Sequence, residues 1–124
     1  MADSTPGPPS SRDGPRSDGT AGGLSLETVQ PDESTTWLVL HGEADLGNRD
    51  ALAAHLSALV LNGTRTVHLH LADLTFADAR AVELLSRFAA SARGRGLTVT
   101  TCDCTPLVRR VAALLEVEAD LGLG

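Results

Sequence analysis

The stretch His68-Leu69-His70-Leu71-Ala72-Asp73-Leu74-Thr75-Phe76-Ala77-Asp78-Ala79-Arg80-Ala81-Val82-Glu83-Leu84-Leu85 carries two periodicities back to back. Val67, Leu69 and Leu71 alternate with His68, His70 and Ala72, the period of two of a strand, and Leu74 and Phe76 prolong the apolar run to Asp78. From Ala79 the period changes: Val82, Leu85, Ala89 and Ala92 fall at i, i+3, i+7 and i+10, with Leu84 and Phe88 beside them, a broad apolar stripe on a helix. The junction therefore sits at a helix N-terminus, where Asp78 can accept hydrogen bonds from free amides and offset the helix dipole.

Working outward, Leu24 to Val29 reads as a short first strand, and Pro31-Asp32-Glu33-Ser34 supplies turn chemistry. Thr36 to His41 follows as its hairpin partner. Asp45 to Asn48 is a loop, and the next helix sets Leu52, Leu56, Leu59 and Val60 on one face before Asn62-Gly63 ends it. Beyond the quoted stretch, Gly94 and Gly96 stop the second helix and Leu97 to Thr100 is a β-branched strand. Thr105-Pro106 opens a third helix with Leu107, Val108, Val111, Leu114 and Leu115 on one side. Residues 116–124 are read as a short strand or a frayed turn. The order strand, strand, helix, strand, helix, strand, helix predicts an α/β fold, a mixed four- to five-stranded sheet with helices packed on it.

The quoted motif resembles the signature of the STAS domain, named for sulphate transporters and anti-sigma factor antagonists, in which a strand ending Asp-Leu-Ser-x-Val-x-Phe-x-Asp-Ser-Ser-Gly-Leu enters a helix. A second likeness lies upstream, where Trp37-Leu38-Val39-Leu40-His41-Gly42-Glu43-Ala44-Asp45 is similar to the family's strand followed by Gly-Glu-Leu-Asp. The resemblance covers roughly residues 24 to 121. It implies the STAS fold, with the family's C-terminal helix shortened or missing.

One departure bears on function. In the family's regulatory members the second Ser of Asp-Ser-Ser-Gly is phosphorylated by a partner kinase, which breaks the partner complex. Asp78 matches the Asp, Ala79 the first Ser, Arg80 the phosphorylated Ser and Ala81 the Gly, so this chain has no hydroxyl there. Phosphorylation would place about −1.5 to −2 charges at the helix N-terminus, whereas Arg80 places a permanent positive one. Either Arg80 holds an antagonist in a form that no kinase turns off, or it marks a member with another partner or one that has drifted from the regulatory role. Thr75 is the nearest hydroxyl before the helix and reads as structural, as does Ser86 within it.

Charge and composition narrow the function classes. The chain of 124 residues has a formal net charge of −6, and residues 24–124 hold eight Arg against 13 acidic residues, a net −5. That opposes non-specific nucleic-acid binding and attachment to anionic membranes, which need a positive field. Aromatic content is 2%, too low for a base-stacking platform. No apolar run approaches the roughly 18 to 20 residues of a membrane span, and the expected location is the cytoplasm. Residues 1–23, rich in Pro, Gly, Ser, Asp, Thr and Arg, read as a disordered tail, with residues 24–124 as one STAS-like domain. Cys102 and Cys104 share a strand face and read as free thiols. His41, His68 and His70 lack further ligands at metal-binding spacing, and no catalytic motif is present, so neither a metal, a cofactor nor an enzyme is expected.

What the resemblance implies is a protein-binding regulatory domain. The loop before the second helix and that helix's exposed edge dock onto an anti-sigma factor, whether or not that factor is a serine kinase, and release a sigma factor by competition. Asp45, Asp78, Ala79, Arg80, Ala81 and Glu83 are the expected contact residues, with an ion pair between Asp45 and Arg80 across the two loops. Two alternatives stand beside it: a small STAS subunit that binds the ATPase of an ABC-type lipid transporter, and a small-molecule or anion-binding sensor in which the helix N-terminus and Arg80 hold the anion.

Overall fold

Nine elements follow one another in the computed structural model, which describes residues 16–21, 23–59 and 61–123. They are β1 (Arg16–Ala21), β2 (Leu24–Asp32), β3 (Thr35–Ala44), α1 (Arg49–Ala58), β4 (Thr66–Ala77), α2 (Ala79–Gly94), β5 (Thr98–Cys104), α3 (Pro106–Leu114) and α4 (Glu118–Leu121). The strands form one sheet in the order β1-β2-β3-β4-β5. The pairs β1–β2 and β2–β3 are antiparallel, while β3–β4 and β4–β5 are parallel and are joined through α1 and α2.

The alternation of the strands sorts their side chains between two faces. Leu24, Leu26, Leu38, Leu40, Val67, Leu69, Leu71 and Val99 point to the face that the helices cover, where Leu52, Leu56, Val82, Leu85, Ala89, Val108 and Ala112 complete the main core. On the opposite face Val29, Trp37, Val39 and Cys102 make a smaller cluster built only from strands. The His68 ring lies 4.5 Å from that of Trp37, and its burial holds the imidazole pKa below the usual value of 6.5. The alternation alone places His68 and His70 on the side opposite Leu69 and Leu71, as a polar face. The indole changes that, since it offers a surface on which both imidazoles pack, and His70 is buried.

Hairpin β2–β3 closes on Asp32, whose carboxylate accepts hydrogen bonds from the Ser34 amide at 2.8 Å and the Ser34 hydroxyl at 3.0 Å. Close approach at the other end of β3 depends on Gly42. Its φ is +99°, and a Cβ there would lie 1.9 Å from the Gly23 carbonyl oxygen, which accepts a hydrogen bond from the Glu43 amide at 3.0 Å.

Three expectations about the elements are corrected by the structure. Arg16–Ala21, within the stretch read as a disordered tail, form the edge strand β1. An edge ladder is made of backbone amides and carbonyls, so it leaves no apolar alternation in the sequence; residues 1–15 lie outside the described residues. Phe76, read as a continuation of the core alternation, is 39% exposed while Leu74 and Ala77 are buried. The pairing of β3 with β4 steps from Gly42↔Leu74 to Glu43↔Phe76, and the extra residue Thr75 reverses which side faces the core. Residues 118–121, read as part of a short strand or a frayed turn, form the single helical turn α4. Leu121 and Leu123 enter the main core, and the Arg93 guanidinium donates to the carbonyls of Ala119 at 3.0 Å, Val99 at 2.7 Å and Asp120.

Candidate functional site

Because β3, β4 and β5 run parallel, the segments that leave them, to α1, α2 and α3, gather at one end of the sheet. Two of these segments are stitched together by backbone: the Asp78 amide donates to the Ala44 carbonyl at 3.1 Å. Asp78 then caps α2, its Oδ1 accepting from the Ala81 amide at 2.9 Å, while the Val82 amide donates to the Asp78 carbonyl at 3.0 Å to close the first helical turn. At the end of β4 the Thr75 hydroxyl donates to the Gly42 carbonyl at 3.0 Å, so this hydroxyl is engaged in holding β3 against β4.

The loop after β3 is organised by Asn48, which is 2% exposed. Its Oδ1 accepts from the Asp45 amide at 2.9 Å and its Nδ2 donates to the Glu43 carbonyl at 2.8 Å. The Asp45 carboxylate turns inward on its own loop and accepts from the Gly47 amide at 2.9 Å. It makes no ion pair with Arg80. That guanidinium instead stands 3.9 Å from the Glu83 carboxylate one turn further along α2, with 71% of the Arg80 side chain in solvent. An exposed pair at that distance adds little to stability, so Arg80 is held in the open rather than locked.

Of the six residues expected at the partner surface, Ala79 and Arg80 are exposed, and Asp45, Asp78 and Glu83 are half-buried. Ala81 is not available: its methyl is fully buried in the main core. It shares a stripe with Leu85 and Ala89 at intervals of four, and that phase turns it toward the sheet whatever its counterpart in the motif does. The sequence reading missed three residues of this end. Leu46 is 73% exposed, Phe76 39% and Leu107 41%, and they stand just beyond β3, at the end of β4 and just beyond β5 respectively. The signal for Leu46 was present as a lone leucine in a polar loop.

Cys102 and the imidazoles of His68 and His70 lie on the strand-only side of the sheet. Cys104, read as sharing a face with Cys102, instead packs against the main core, because Asp103 between them takes a positive φ of 57° and the pairing of β4 with β5 shifts there. The Cys102 sulfur is 3.7 Å from His68 Nδ1, and burial pushes the Cys102 and Cys104 thiols above their ordinary pKa, against thiolate chemistry at neutral pH. Among the described residues no group of three or more His, Cys, Asp or Glu is placed to hold a metal ion.

The family model described as "Mlab, STAS domain" matches residues 27–123. The chain belongs to the STAS family. Solved structures with the same fold include an anti-sigma factor antagonist from Mycobacterium paratuberculosis, 16% identical, with 81% of this chain and 84% of that one covered at a TM-score of 0.69. The anti-sigma factor antagonist SpoIIAA in its unphosphorylated form is 18% identical, with 76% and 83% covered at 0.64. SLC26A9 is 12% identical, with 77% of this chain but 18% of that one covered at 0.63. The same STAS fold thus stands as most of one chain and as a fraction of another. None of the curated proteins compared with this STAS domain matches it.

Proposed function

We propose that this STAS domain is a non-catalytic binding module, an anti-sigma factor antagonist that occupies an anti-sigma factor through the end of the sheet built by Asp45, Asp78, Ala79, Arg80 and Glu83, and so frees a sigma factor. The observation that carries this reading is the exposed guanidinium of Arg80 at the start of α2, on the same end of the sheet as the exposed apolar side chains Leu46, Phe76 and Leu107. Apolar side chains at a loop end with a charged centre are the composition of a protein interface. With no hydroxyl at positions 79 to 81, control passes from phosphorylation to mass action, and two partners compete for one anti-sigma surface.

The same missing hydroxyl supports a second reading, a small STAS subunit of an ABC-type lipid transporter that docks on its ATPase. The anion-sensor reading is weakened by geometry, since the Asp78 carboxylate already occupies the amide that an anion would seek at the start of α2.

A photo-crosslinking residue at position 79 in the full chain, expressed in its native cells, tests this directly. The expected product is a crosslink to an anti-sigma factor that is lost on adding an excess of the unlabelled chain. A transporter ATPase in its place supports the second reading, and a crosslinked product carrying neither overturns both.

A further inference from the structure

The C-terminal half of α2 and its cap carry a pair of cations well away from Arg80. Arg87 on α2 and Arg95 at its C-cap are eight residues apart, a rise of about 12 Å or slightly over two helical turns, and both line the same groove. Both are exposed, and neither guanidinium has an ion-pair partner among the described residues. Arg93, between them in sequence, is by contrast spent on carbonyls. Leu84 and Phe88 run beside the two cations, and with Leu56 and Leu59 from the α1 side they bound an open groove of about 390 Å³ between the two helices. No carboxylate lines that groove, although acidic residues outnumber Arg 13 to eight over residues 24–124.

We propose that this α1–α2 groove is a second docking surface, which takes an acidic amphipathic helix of a partner protein. Its apolar floor would receive side chains at the i, i+3, i+4 and i+7 positions of the incoming helix. The two guanidinium groups then pair with carboxylates two turns apart on that helix, which repeats their own spacing. A single-headed anionic amphiphile could satisfy only one of the two cations, which favours the helix. The surface lies toward the opposite end of α2 from Arg80, so it is separate from the loop-end site.

The test uses the full chain labelled with nitrogen-15 and a synthetic 18-residue amphipathic peptide carrying Leu at i, i+3, i+4 and i+7 with Glu residues two turns apart on its flank. A matched peptide with Lys for each Glu is the control. The Glu peptide is expected to bind saturably and to shift the amides of residues 52–59 and 84–95. The double variant Arg87→Glu, Arg95→Glu should weaken that binding about tenfold with an unchanged melting temperature, since both side chains stand in solvent. Phe88→Ala, checked for folding by its melt, should weaken it as well. Equal binding of the Lys peptide, shifts that map elsewhere, no effect of the charge reversal, or binding of dodecyl phosphate without binding of the Glu peptide would each overturn the proposal. None of these outcomes bears on the crosslink at position 79.

Discussion

The amide of Asp78 donates to the carbonyl of Ala44 at 3.1 Å, so the residue that starts α2 is fastened to the last residue of β3. The loop after β3 and the start of α2 are therefore tied together, and the exposed groups they carry stand in fixed relation to one another. Rigid presentation of this kind reduces the ordering cost of association.

Asp78→Ala removes the side-chain acceptor of the Ala81 amide while leaving the backbone bond to Ala44 in place. A loss of about 1 kcal/mol is expected from the missing cap. Urea denaturation should show it as a lower midpoint with an unchanged slope.

Asn48→Ala should cost more, in the range of about 1–3 kcal/mol, because the side chain is buried and makes two hydrogen bonds to the loop backbone. Amide exchange should quicken at Asp45, whose N–H loses its acceptor. If exchange there stayed at the wild-type rate, the loop would have another organiser.

Arg80→Glu separates binding from folding. The side chain stands in solvent with only the distant Glu83 beside it, so denaturation should be nearly unchanged. Affinity for the crosslinked partner should fall by about tenfold or more, and calorimetric titration reads it. Ala81→Leu should do the reverse, unfolding the domain through overpacking of a closed site.

Gly42→Ala meets both a positive φ and a carbonyl oxygen 1.9 Å from where the new methyl would sit. β2 and β3 would have to separate at that end, and loss of soluble folded protein is expected on expression. Gly94→Ala, inside α2 with open space around it, is the control and should be tolerated.

His55 and His68 both have pKa values lowered by burial from the usual 6.5. Below pH 6.5 the unfolded chain takes up protons at these rings before the folded chain does, so folding weakens as pH falls through that region and is restored above it. The melting temperature should decline between pH 7.5 and 5.5. His68→Gln should flatten part of that decline, and an equally steep profile in the variant would place the titration elsewhere.

Local signals were legible without a structure. The stripe of Val82, Leu85, Ala89 and Ala92 defines the buried face of α2, and Asp78 reads as its cap because capping depends on neighbours three residues away. Ala81 shows the limit of reading a role from a motif: its place in the helix phase was available in the sequence and outweighs its alignment to a functional position. Phe76 could not be placed in that way, because its orientation depends on a bulge defined by pairing with a strand some 30 residues earlier. α4 depends on Arg93, whose reach to the Ala119 carbonyl spans 26 residues.

Trp37 is the chain's single tryptophan, and there is no tyrosine. The protein's intrinsic emission therefore comes from one indole packed on His68, on the strand-only face of the sheet. A neutral and a protonated imidazole quench such a neighbour differently, so the emission is a built-in indicator of the state of that face. It is silent about Arg80 and the loop end, and a titration followed by native fluorescence alone could record a bound partner as no binding at all.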